Sequence, residues 1–151
     1  MNDETAALNK PVTPTVSDAL PVLHGLGMLT DLDWYFARFM ERLAGGASPE
    51  LALAAALASH ATGQGDICVN LRQWAQRWKI MATKMETPPL FTLPPASEWL
   101  DALRARSVVG QPGERQPLVL DRRGRLYLYR YWEYEQRLAR DLLQRAREAP
   151  P

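Results

Sequence analysis

Between Leu51 and Ala61 the chain reads LALAAALASHA, a run without one charged residue. A helix that is apolar on all sides cannot face water on any of them, so other elements must wrap it. Its start is written in Ser48-Pro49-Glu50: serine at the cap, proline at the first helical position, glutamate at the positive end of the helix dipole. Gly63 and Gly65 mark its end. Alanine at so many positions permits close helix–helix approach. The sequence therefore predicts a central helix over 48–61 and a domain organised around it.

The flanking segments supply the wrapping. Residues 31–44 carry Leu32, Tyr35, Phe36, Phe39, Met40 and Leu43 on a 3.6-residue period, which predicts a helix capped by Asp31 with that stripe inward. Leu20, Leu23 and Leu26 predict a short helix before it. Asn70 precedes Leu71, Trp74, Ala75 and Trp78, and Ser97 precedes Trp99, Leu100 and Leu103, giving two more short helices. Between them, Pro88, Pro89, Pro94 and Pro95 argue for an irregular connection over 80–96. The C-terminal third changes period. Leu118–Leu120 and Arg125–Tyr129 flank Asp121-Arg122-Arg123-Gly124, which predicts a β-hairpin. On it Tyr127 and Tyr129 share one face, and Leu126, Leu128 and Arg130 the other. A basic helix over Tyr131–Arg147 follows. The expected class is mainly α with one β-hairpin near the C-terminus, α+β being the alternative. Residues 1–16 are expected to be a flexible lead-in, 17–147 the domain, and 148–151 a disordered tail. Trp74, Trp99 and Trp132 are expected to seal the core.

Composition excludes several classes. The chain has 151 residues, 46% of them apolar and 23% charged, enough to bury a core without a disulfide or metal. No stretch approaches the length of apolar sequence that crosses a membrane. The acidic start Met1-Asn2-Asp3-Glu4 lacks the basic opening of a secretory signal, and Cys68 stands alone. The expected setting is cytoplasmic. Charge is polarised: residues 1–75 carry net −4 and residues 76–151 net +5. An anionic partner for the second half and an ordinary dipolar surface both fit.

Few constellations carry chemistry. No GxxxxGK[ST] phosphate loop occurs, so no cofactor is expected for this chain. One cysteine and two histidines do not make a zinc site. His60 and Cys68 are either a nucleophile–base pair or, on the plainer reading, a histidine ending a buried helix and a small buried thiol. Arg130 and Glu135 are expected to pair as a clamp between hairpin and last helix, with an anion-binding arginine as the alternative. Arg122, Arg123 and Arg125 beside Tyr127 and Tyr129 combine basic and aromatic character. That suits either a protein interface or single-stranded nucleic acid.

The residues also carry a resemblance. Leu53-Ala54-Ala55-Ala56-Leu57, Ser59-His60, Gly63, Gly65, Cys68 and Leu71 resemble the LAAALxSHxxGxGxxCxxL signature at the start of RecD, the alpha subunit of the RecBCD helicase–nuclease, exodeoxyribonuclease V. Arg125-Leu126-Tyr127-Leu128, Arg130, Trp132, Glu135 and Ala139 are similar to its RLYLxRxWxxExxxA pattern, and Leu32-Asp33 with Phe36-Ala37 to its LDxxFA segment. The resemblance implies a non-catalytic assembly domain that docks a RecD-like motor onto RecC, and through it RecB, in double-strand-break repair. An accessory single-stranded DNA-binding module is the alternative. ATP and magnesium would belong to a RecA-like motor not contained in this chain. The signature positions His60, Gly63, Gly65, Cys68, Arg130, Trp132 and Glu135 would be mainly structural. The expected interface is Tyr127, Tyr129, Arg122, Arg123 and Arg125, and a domain parted from its partners would leave apolar surface that self-association could cover.

Overall fold

The computed structural model describes residues 14–84 and 89–148. Most of the expected lead-in (1–13), part of the proline-rich connection (85–88) and residues 149–151 of the expected tail lie outside the described residues. Pro14 is tied in: its carbonyl accepts hydrogen bonds from the Thr92 amide (3.2 Å) and hydroxyl (2.9 Å). Thr15 then caps a 3-10 turn at Val16–Asp18 through a reciprocal capping box.

Among the described residues there are six α-helices and a small sheet. The helices are α1 (Ala19–Gly25), α2 (Asp31–Leu43), α3 (Pro49–Gly63), α4 (Leu71–Lys84), α5 (Ala96–Arg104) and α6 (Tyr129–Glu148). The strands are β1 (Cys68–Asn70), β2 (Val109–Gly110), β3 (Leu118–Leu120) and β4 (Arg125–Leu128), in sheet order β1-β4-β3-β2. The expected hairpin is β3–β4, antiparallel with Leu118 opposite Leu128. It is the middle of a larger sheet. β1 joins β4 antiparallel, Cys68 opposite Tyr127, and β2 joins β3 in parallel. The class is mainly α with some β.

The charge-free helix is central. Every residue of α3 from Leu51 to Ala58 is buried, and α1, α2, α5, β1, β4 and the 3-10 turn all pack on it. Ser48 sits at its N-cap without a side-chain cap bond; instead the Ser48 amide donates to Glu41 Oε2 at 2.7 Å. Trp99, Leu100 and Leu103 of α5 are fully buried, and the Trp99 indole donates to the Glu50 carbonyl at 3.0 Å. Trp74 stacks parallel to Trp78 (5.8 Å between centroids) and meets Trp99 edge-on (6.3 Å). Trp132 seals a different place: it meets Tyr127 edge-on, on the far side of the sheet.

Four expectations are corrected. The apolar stripe of α2 is split: Met40 is buried and Phe36 packs on the core, but Leu32 is 74% and Tyr35 69% exposed, with Phe39 and Leu43 also exposed. The buried positions are Asp33, Ala37, Met40 and Glu41, and the N-cap is Thr30. The α4 helix runs through Ile80–Lys84, where irregular chain was expected. Tyr129 is the first residue of α6 and not a strand residue. Leu26, third in the α1 pattern, is exposed beyond the helix end, while Leu20 and Leu23 are buried.

Candidate functional site: a polar girdle and two outward faces

The signature residues fall in two places: Ser59 and His60 at the end of α3, against α2, and Cys68, Trp132 and Glu135 around Tyr127 on the sheet. At the centre of the first is Asp33, buried on α2. Its Oδ1 accepts from the Ser59 hydroxyl at 2.6 Å, and its Oδ2 lies 3.1 Å from His60 Nδ1 and 2.9 Å from the Thr30 amide. Burial alone would push this carboxyl up, but the hydrogen bonds of Ser59, Thr30 and His60 outweigh it and hold the group below its ordinary value. Eight residues further along α2, Glu41 accepts from the Ser48 amide and from Arg38 Nη1, both at 2.7 Å. Two buried carboxylates thus bind α2 to both ends of α3.

His60 is therefore committed to Asp33, not to loop backbone, and no hydrogen bond joins it to Cys68 among the described residues. Burial pushes the Cys68 thiol up, partly offset by a hydrogen bond from Tyr127. Such a thiol is a poor nucleophile. Tyr127 is only 2% exposed, and burial with the neighbouring Cys68 and Glu135 pushes its phenol well up. Cys68, Tyr127, Trp132 and Glu135 form one cluster under the β1–β4 pair.

The Arg130–Glu135 clamp is not formed. Arg130 is exposed, and Glu135 Oε2 is buried with no hydrogen-bond partner among the described residues. Nor do Tyr127 and Tyr129 make an open face, since Tyr127 is buried and Tyr129 half-buried. Gly65 adopts φ +90°, a left-handed turn that favours glycine. Gly63 adopts no such angle and has open space around it, so nothing in the structure explains glycine there. Gly124 needs both freedoms: φ is +83°, and a Cβ there would stand 3.0 Å from Arg72 Cγ.

Comparison with known proteins fits this geometry. Residues 25–127 match the family model described as RecBCD enzyme subunit RecD, N-terminal domain. The chain belongs to that family. It is 34% identical over 116 residues to the RecBCD enzyme subunit RecD of Mycolicibacterium smegmatis, covering 77% of this chain and 19% of that protein. The protein of the same name from Mycobacterium tuberculosis H37Rv is 34% identical over 117 residues, covering 78% of this chain and 18% of the relative. The chain thus spans less than a fifth of the length of these relatives. The family match includes Asp33, Ser59-His60, Gly65, Cys68 and Tyr127, and ends before α6.

Two features that sequence reasoning missed are the Asp33 anchor and the outward face of α2. The anchor had a signal: a carboxylate, Asp33, set between Leu32 and Trp34 at the start of an apolar stretch, with Ser59-His60 the only polar pair in the charge-free run. The outward face comprises Leu32, Tyr35, Phe39 and Leu43, with exposed Leu26 and Met28 from the loop before α2. A second stripe, Tyr134, Leu138 and Leu142, lies exposed along α6, a helix without one buried residue. Among the described residues no helix is long and apolar enough to cross a membrane, and no three His, Cys, Asp or Glu side chains stand close enough to hold a metal ion.

Proposed function

We propose that this domain is a non-catalytic docking module of a RecD-like DNA-processing subunit, fixing the remainder of that subunit onto RecC, and through it RecB, in the bacterial cytoplasm. The outward face of α2 carries the reading. Four large apolar side chains in helical register stand in water while the opposite side of the same helix is anchored by buried carboxylates. Contiguous apolar surface of this kind marks an interaction site, and an aromatic-rich helix face fits a groove on a partner. The exposed stripe of α6 suits a contact with the subunit's own continuation, which makes up the other four-fifths of the relatives' length. ATP and magnesium belong to that continuation: this chain has no phosphate loop of the Walker type, and no catalytic step is assigned to its residues.

The test is co-elution of this chain with its cognate RecC on gel filtration at two salt concentrations, without nucleotide. A one-to-one complex that persists at the higher salt is expected, because apolar contacts are not screened. Failure of the folded chain to bind RecC would refute the reading.

A further inference from the structure

We propose that the arginine-lined cleft between the end of α3, the first turns of α4 and the β3–β4 turn binds the backbone of single-stranded DNA. The cleft has a volume of about 770 Å³, within the range of ligand sites. Arg123 and Arg125 come to it from the turn, Arg77 from α4 and His60 from the end of α3, with Trp74 in the wall. A second cleft of about 550 Å³ opens on the other side of the turn, lined by Arg104 and Arg122 and sharing Arg123 and Arg125. Arg123 and Arg125 thus stand between two grooves, an arrangement that suits an extended polyanion better than a compact one.

Arg104 is paired with Asp101 Oδ1 at 3.2 Å, but the charges of the larger cleft are available. Among the described residues, Arg77 and Arg123 have no carboxylate within 4 Å. Arg125 is held through Nε by Asp121 Oδ2 at 2.6 Å, and the other carboxylate oxygen accepts the Arg123 and Arg125 amides, both at 2.9 Å. Asp121 is therefore spent on fixing the turn, and its bond to Arg125 leaves that residue's two terminal nitrogens uncommitted. His60 gives Nδ1 to Asp33, leaving Nε2 for the cleft. The one carboxylate lining the larger cleft is Asp66.

The aromatic wall favours nucleic acid over an acidic protein surface. Trp74 is half-buried and locked by Trp78 and Trp99, so its open surface is a rigid platform beside cations. Bases stack on such platforms, and arginines alongside track the phosphates. Gln64, Asn70 and Gln73 line the same cleft and can meet base edges. A duplex keeps its bases stacked inward and presents no base face to Trp74, so a single strand is the form that fits. Neither Tyr127 nor Tyr129 lines these clefts.

The test is fluorescence polarisation of a labelled twelve-nucleotide oligothymidylate with the 151-residue chain at 50 and 200 mM salt. Neutralising three phosphates of a single strand gives a log–log salt slope of about −2, so affinity should fall roughly 20-fold between the two conditions. The double variant Arg77→Gln/Arg123→Gln should weaken binding at 50 mM at least roughly tenfold and flatten the slope toward about −0.7. Arg140→Gln/Arg145→Gln on α6 makes the same charge change and should leave binding within about twofold. All four side chains are exposed, so the fold should hold, as circular dichroism would check; Arg123→Gln alone, with an intermediate slope, is the fallback. No binding at 50 mM, equal loss in the α6 variant, or equal competition by polyglutamate of matched charge would each overturn the proposal, the last in favour of an acidic protein surface. None of these outcomes bears on RecC docking, which the α2 face carries separately.

Discussion

Helices α2 and α3 lie against each other and obey opposite rules. α3 hides every residue from Leu51 to Ala58, and those residues say so, because no face of that run is fit for water. α2 is amphipathic, yet Leu32, Tyr35, Phe39 and Leu43 face outward, while the side it turns to α3 carries Asp33, Ala37, Met40 and Glu41. The inward side works because each carboxylate finds donors: Ser59, His60 and Thr30 for Asp33, Arg38 and Ser48 for Glu41. Small Ala37 lets the helices approach. A periodic pattern thus shows that a stripe is apolar; only the neighbours decide whether this chain or another one covers it.

The comparison can be broken first at α3. Leu53 is fully buried there, and Leu53→Ala should cost about 2–5 kcal/mol, read from urea denaturation. A loss below about 0.5 kcal/mol would mean that α3 is not the centre. The next largest effect should come from the polar side of α2. Asp33→Ala removes the common acceptor of Ser59, His60 and the Thr30 amide. It should cost about 1–3 kcal/mol, because three partly buried donors lose their partner.

The same carboxylate sets a pH dependence. Its folded-state value lies below the ordinary one, so its contribution is fully present above the unfolded value of about 3.9 and is lost as pH falls through the lower folded value. The wild type should therefore lose more stability on acidification below about pH 4 than Asp33→Asn does. Parallel losses in the two proteins would remove Asp33 from the anchoring role. The smallest effect should be at the apolar face. Tyr35→Ser and Phe39→Ser, in spite of the residues they remove, should each change stability by less than about 0.5 kcal/mol. A large loss would show that the face is covered by this chain itself.

Much of the helical framework is legible in the residues, for plain reasons. Ser48-Pro49-Glu50, the charge-free run and the closing glycines state α3 almost to the residue, and Trp99, Leu100 and Leu103 state the buried side of α5. β1 is not legible: Cys68–Asn70 is three residues long, and its partner, Arg125–Tyr127, lies far along the chain. Alternation cannot show in so short a strand. The hairpin misled in another way. Strand parity placed Tyr127 and Tyr129 outward together, but the chain turns into α6 at Tyr129, and Tyr127 is covered by Trp132 from that helix. The same turn carries Arg130 away from Glu135 and into water. The Asp33 anchor joins residues 26 and 27 positions apart, a link that composition and period do not contain, although the family motifs include all three residues.

The most direct test of the docking face is calorimetric titration of cognate RecC with three forms of this chain: wild type, Tyr35→Glu/Phe39→Glu and Leu138→Glu. The α2 double variant should stay folded and lose binding by at least about 2 kcal/mol, the scale of an aromatic hot spot. Leu138→Glu, on the side assigned to the rest of the subunit, should bind as wild type does. Undiminished affinity in the folded α2 variant would contradict the central claim, and the outward face of α2 would then need another partner.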